Sequence, residues 1–228
     1  MIGLRRGGGG AVVDPNLKLE LKFNSQIYTD LAGTVAAGTN DYVRAWRSSV
    51  GGHLFAQATD AARPQRVSDG LYFDGGDIIS LPSNAIFNFP ANQDFCVEAY
   101  INTQSSANQM ILSKNYWAGE TGLALQLYLN TVLFSIGSTI FATSSAISQN
   151  AWHHIAGVRQ GDNLKVFING LSATTSGVSS LNSSTSYPID IGGRSRNGTL
   201  YFIGKLTDLR IYDIAKYTAN FTPPTRSA

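Results

Sequence analysis

Residues 150–175, NAWHHIAGVRQGDNLKVFINGLSATT, and residues 189–213, IDIGGRSRNGTLYFIGKLTDLRIYD, decide the fold. Across 152–159 the side chains of Trp152, His154, Ala156 and Val158 fall on one face of a strand, and those of His153, Ile155, Gly157 and Arg159 on the other. The tetrapeptide Gln160-Gly161-Asp162-Asn163 tolerates tight backbone geometry and reads as a turn. A second strand over 164–168 then places Leu164, Val166 and Ile168 on its buried side, and Asn169-Gly170 is the strongest short hairpin signal a sequence offers. The segment is therefore a run of consecutive antiparallel strands. The strand over 204–212 carries Leu206 on one parity and Leu209 and Ile211 on the other, which a bulge near Asp208 reconciles.

Working outward, residues 17–23 alternate Leu17, Leu19, Leu21 and Phe23 with Lys18, Glu20 and Lys22, as a half-buried strand should. From 24 to 68 the period weakens among glycines and small polar residues, so long loops with short strands are expected there, one of them around 42–46. Further strands are expected at 78–81, 95–101, 109–114, 123–129, 132–136 and 140–143, a spacing of roughly ten residues that fits an all-β sandwich. No internal repeat is visible.

The chain has 228 residues, of which 43% are hydrophobic and only 14% charged. This length and apolar content suit one sandwich domain, expected over 15–228, with a surface built from Ser, Thr, Asn, Gln and Gly. Such a neutral surface suits packing against other chains or facing sugars. The net charge of +2 has no basic run behind it beyond Arg5-Arg6, so no nucleic-acid binding is expected. Residues 1–14 form a glycine-rich arm in which Arg5, Arg6, Gly7, Gly8, Gly9 and Gly10 need a partner to order them, because glycine loses the most entropy on fixing. Neither a signal peptide nor a membrane span is expected from the apolar pattern. The single cysteine, Cys96, excludes an internal disulfide and reads as a small buried hydrophobe.

The Trp-His opening, the polar turn, the aliphatic strand ending in Asn-Gly, the Ile-Gly-Gly step and the Gly-Lys-Leu-x-Asp-Leu-Arg-Ile-Tyr strand together resemble the laminin-G-like and pentraxin-like group of concanavalin A-like jelly rolls, over about 71–212. The resemblance implies an all-β, antiparallel two-sheet jelly-roll sandwich. The Arg63-Pro64 step before Phe73-Asp74-Gly75 resembles the entry to such sandwiches in bacterial and phage surface proteins, and the ending Tyr217-Thr218-Ala219-Asn220-Phe221-Thr222-Pro223-Pro224 resembles the tail of laminin-G-like domains in phage virion proteins. What this implies is a non-enzymatic structural protein on the particle exterior, a capsid decoration, cement or accessory protein anchored by its arm. It would be made in the host cytoplasm without a signal peptide and would contact other virion proteins and its own copies, as a trimer or higher homo-oligomer. A tail-associated adhesin binding host surface glycans is the alternative, and a polysaccharide-degrading jelly-roll enzyme the third reading.

Jelly-roll glycosidases place paired carboxylates two residues apart on one strand face, since one must protonate the leaving oxygen while another attacks or activates water. Here Glu98 stands alone in its strand, Glu20 and Glu120 have no acid within two positions, and only Asp74 and Asp77 are close, across a Gly-Gly turn. His153 and His154 point to opposite faces and cannot share a metal, and no serine sits in a Gly-x-Ser-x-Gly turn. The resemblance raises calcium, for which Asp74, Asp77 and Asp190 are the candidates. For sugar or surface binding the candidates are Asn115, Tyr116 and Trp117, and Arg194, Arg196 and Asn197 in a glycine-rich rim loop, because ring faces stack on sugars while amides and guanidinium groups take hydroxyls. Each of these residues also has an ordinary reading as a turn residue or a subunit contact.

Overall fold

A computed structural model describes residues 14–114, 121–137, 140–177, 183 and 185–227. In chain order its strands are β1 (Leu17–Leu21), β2 (Ile27–Tyr28), β3 (Ala45–Arg47), β4 (Leu54–Ala56), β5 (Gln65–Val67), β6 (Gly70–Asp74), β7 (Ile79–Leu81), β8 (Phe95–Thr103), β9 (Gln109–Lys114), β10 (Leu123–Tyr128), β11 (Thr131–Ile136), β12 (Ile140–Ala146), β13 (His153–Gln160), β14 (Asn163–Ile168), β15 (Leu171–Gly177), β16 (Ile189–Ile191) and β17 (Ile203–Tyr212). They pair into two antiparallel sheets. The first runs β15-β14-β13-β8-β17-β6-β5, with β1 beside the far end of β17; the second runs β12-β11-β10-β9-β16-β7-β4-β3-β2. This is the jelly-roll sandwich. Among the described residues no helix is long and apolar enough to cross a membrane.

The local chemistry explains the deciding segment. Gln160 pairs with Asn163, so β13 and β14 are joined by the two residues Gly161-Asp162, with Gly161 at φ +55°. Ile168 pairs with Leu171 across Asn169-Gly170, both at positive φ, the turn type whose twist matches the flanking strands. The Asn169 side-chain oxygen accepts the His154 backbone N–H at 3.0 Å and so ties the turn back to the start of β13. Ile155 belongs to the central core between the sheets, whereas Ala156 and Val158 pack on the outer side of the first sheet, as the parity requires. Gly157 shares the core face, and the Phe134 ring from the opposite sheet fills the space a side chain would take.

The bulge expected near Asp208 is present. The β17–β8 register shifts between Thr207 and Arg210, and Asp208 sits at φ +52°. The strand expected around 42–46 is displaced: the ladder forms over Ala45–Arg47, and Tyr42 makes only an isolated bridge to Gln65. There Trp46, fully buried, donates its indole N–H to the Lys22 carbonyl at 3.0 Å and anchors the register. The segment 24–68 does hold short strands, two or three residues each.

Candidate functional site

The two outer faces of the sandwich differ. Across the first sheet, residues 213–227 fold back as a strap. Phe221 N–H donates to the Gly170 carbonyl at 2.9 Å, and the Asn220 side chain accepts the Ser172 N–H at 2.9 Å. The chain returns so that Tyr100 O–H donates to the Pro224 carbonyl, and Ser227 donates through both N–H and hydroxyl to the Asp208 carboxylate. Arg226 lies 4.4 Å over the Trp152 ring. Beneath the strap Tyr217 and Phe221 stack face to face and cover Leu17, Cys96, Ala156, Val158, Phe167 and Tyr212. Burial, and then the Glu98 charge, push the Cys96 thiol well above its ordinary value, so it is inert in the closed fold.

The strap also seals a polar cluster that sequence spacing did not reveal. Glu98, fully buried, accepts from His154 Nε2 at 3.1 Å, Tyr217 O–H at 2.6 Å, Tyr212 O–H at 3.3 Å and Arg210 Nη1 at 3.4 Å. Arg210 reaches on through Nε to Glu20 at 3.0 Å. Glu20 and Glu98 stand alone in their own strands, but the sheet brings both onto one arginine. His154 is thus a buried partner of Glu98 and His153 a surface residue beside Ser148, on opposite faces as expected.

Among the described residues the outer side of the second sheet is open between β10 and β12. A concavity of about 500 Å³ is lined there by Gln126, Tyr128, Thr131, Leu133, Phe141 and Thr143. The strand period explains the set: Leu123, Leu125 and Leu127 turn into the core, so Gln126 and Tyr128 turn out, and Val132 and Phe134 turn in, so Thr131 and Leu133 turn out. In register, Gln126, Leu133 and Thr143 form one row across three strands; Tyr128 and Thr131 form the row on one side. Phe141 pairs with Ser135 on the other side. Leu133 and Gln126 make a nearly buried floor, while Tyr128 and Phe141 keep 52% and 42% of their surface exposed. Such a surface offers ring faces for stacking and amide and hydroxyl groups for directional bonds. Sequence reading missed this site, although two aromatics on outward parity, each facing a threonine or serine across the ladder, were visible once the parity of β10–β12 was assigned.

The residues singled out from sequence fall as follows. Asn115, Tyr116 and Trp117 lie outside the described residues, as do Arg5, Arg6 and Gly7 to Gly10. Arg194, Arg196 and Asn197 share the loop between β16 and β17, as expected. There the Arg194 guanidinium donates to the Asn197 side-chain oxygen at 2.7 Å and to the Thr199 hydroxyl at 3.0 Å. Arg196 stacks 4.7 Å over Tyr187. Arg194 and Asn197 therefore brace the loop itself.

Asp74 and Asp77 share one turn, in which the Asp77 carboxylate accepts the Asp74 N–H at 2.9 Å. Burial, and then the neighbouring Asp74 charge, push Asp77 up to about 6. Asp190 stands on the outward face of β16, where one oxygen accepts from Ser80 and the other from the Ser195 N–H and hydroxyl. Calcium takes six to eight oxygens. Among the described residues no three acids, imidazoles or thiolates converge, so the expected set is split and does not form a coordination sphere.

Comparison with known proteins supports the architecture. The binding domain of Paraclostridial Mosquitocidal Protein 1 superposes with a TM-score of 0.64 at 15% identity over 89% of this chain and 50% of that one. Trypanosoma rangeli sialidase in complex with sialic acid gives 0.62 at 17% identity, over 95% of this chain and 33% of that one. Domain 4 of AbnA, an extracellular arabinanase from Geobacillus stearothermophilus, in complex with arabinotriose, gives 0.55 at 16% identity over 88% and 93%. The chain thus spans half of the mosquitocidal protein's binding domain and a third of the sialidase, and at these identities the likeness is one of fold. No curated protein matches the sequence. The family model of laminin G type matches residues 73–219, more than half of the chain and all of β7 to β17, and the chain belongs to the concanavalin A-like lectin/glucanases superfamily.

Proposed function

We propose that this chain is a non-enzymatic attachment module that binds glycans through the open outer face of its second sheet, carried on the exterior of a phage particle. The observation that carries the binding half is the concavity with two exposed aromatic rings and an amide floor. A polyhydroxylated ligand suits it, since sugars present apolar ring faces and hydroxyl edges to such surfaces. Two proteins of the same fold are described as the binding domain of a mosquitocidal protein and as an arabinanase domain in complex with arabinotriose, which agrees with a binding role. The non-enzymatic half rests on the acids: Glu98 and Glu20 are consumed by Arg210, and Glu98 lies sealed under the strap, where no glycosidic bond can reach it.

The particle setting rests on the ending 217–224 and its resemblance to phage virion proteins; within the fold this ending packs as the strap. Tyr217, Thr218, Asn220 and Phe221 each make a strap contact to the first sheet. A second reading, capsid decoration or cement without glycan binding, is favoured by the same ending together with the glycine-rich arm as an anchor to other virion proteins. A glycan array with the purified chain separates the two. Saturable binding that Tyr128→Ala weakens supports attachment, whereas particle binding by a chain silent on the array supports cement.

A further inference from the structure

We propose that the groove on β10–β12 takes an uncharged oligosaccharide of at least two sugar rings, with Tyr128 and Phe141 as separate stacking platforms and Gln126 as the hydroxyl reader between them. This rests on the glycan-binding reading above and names the class of glycan.

Length comes from the register. Tyr128 pairs with Thr131 and Phe141 with Ser135, so the two aromatics stand four residues apart along β11 and two strands apart across the sheet. At about 3.4 Å per residue and about 4.8 Å per strand, their backbones are separated by roughly 14 Å in one direction and roughly 10 Å in the other. One sugar ring cannot stack on both, but an oligosaccharide laid diagonally across the three strands can.

Neutrality comes from the walls. The six lining residues carry no ionisable side chain apart from the tyrosine phenol, and the neighbouring outward positions Ala124 and Ser135 are uncharged as well. A sialic, uronic or sulfated sugar would surrender hydration of its charge here without meeting a cation. Direction comes from Gln126. It is 8% exposed, lines the groove, and its amide takes no hydrogen bond among the described residues. Facing the groove without a protein partner, this amide offers both donors and an acceptor, the complement of adjacent hydroxyls on one ring.

Calorimetry on the full chain with gluco-, manno- and arabino-oligosaccharides of one to six units, and with sialyl and oligogalacturonate ligands, at 50 and 500 mM NaCl, tests this. The expected result is binding of a neutral series whose affinity rises about tenfold or more from the monosaccharide to the trisaccharide and is insensitive to salt. Tyr128→Ala and Phe141→Ala should each weaken the trisaccharide about tenfold and leave the monosaccharide within about threefold. Gln126→Leu should cost about tenfold at every length. Tyr42→Ala, an exposed aromatic outside the groove, should change nothing. Preferred, salt-sensitive binding of the acidic ligands, or equal affinity for one and three units, would overturn the inference while leaving glycan binding standing. Silence toward every saccharide, with all variants folded by circular dichroism, would overturn both.

Discussion

Glu98 shows how a single residue ties the deciding segment to the rest of the chain. Burial works against its charge, but the His154 hydrogen bond and charge, the Tyr217 hydroxyl and the Arg210 charge together hold it below the ordinary carboxylate value. An acid depressed on folding contributes stability that is present above its unfolded value and lost as pH falls through the folded one. Glu98→Gln should therefore destabilise by about 3 kcal/mol at pH 7, because Arg210 loses a buried partner, and the gap to the parent should close in urea titrations below about pH 4. An equal gap at pH 7 and pH 3 would show that Glu98 acts by shape alone. Asp77 has the opposite sign. Raised to about 6, it binds its proton more tightly in the folded chain, so it favours the fold below its unfolded value and that contribution fades as pH climbs from about 4 through 6. Asp77→Asn keeps an acceptor for the Asp74 N–H and removes the repulsion. We expect it to gain about 1 kcal/mol at pH 7 and to flatten the slope between pH 4 and 6.

At the scale of elements, the strap and the facing sheets explain residues that composition could not. A Cβ on Gly157 would meet the Phe134 ring at 2.2 Å, so β13 can lie this close to β11 only because one position is bare. Gly157→Ala should cost about 2–3 kcal/mol in equilibrium denaturation, and Phe134→Leu in the same chain should recover part of it. Deleting residues 214–228 should uncover Cys96, and thiol titration with a disulfide reagent should go from silent to complete without denaturant; continued silence would mean that the strap is not what covers it. Local pattern made much of this legible. The parity of 152–159, the Asn169-Gly170 turn and the bulge at Asp208 each follow from neighbours within a few residues. What was not legible is non-local or too short to show a period. Glu20 and Arg210 meet across 190 positions, strands of two or three residues in 24–68 show no alternation, and β15, rich in Ser and Thr, has no apolar stripe to mark it. The groove was hidden for a related reason: its aromatics lie on different strands, and only the register places them along one face.

For the whole molecule the asymmetry of the two outer faces carries the functional argument. The first sheet is closed by residues 213–227, which satisfy Glu98, Asp208 and the turn at Gly170 together, so a ligand there would have to displace some fifteen residues of packed strap. Among the described residues the second sheet keeps an open concavity, so on the proposed reading recognition belongs on that side. Anchoring, on the proposed reading, belongs to the arm at 1–14, which carries four consecutive glycines. If the two functions are physically separate, their free energies add, since sites without shared contacts couple weakly. A chain lacking residues 1–13 should then bind a neutral trisaccharide within about twofold of the full chain while losing attachment to particles. Tyr128→Ala should do the reverse, holding particles while weakening the trisaccharide about tenfold. Co-sedimentation with particles and calorimetry with the sugar, run on both variants and on the double variant, complete the cycle. A loss of sugar affinity on removing the arm would place the arm at the groove, and would replace a two-ended bridge between particle and glycan with a single composite site.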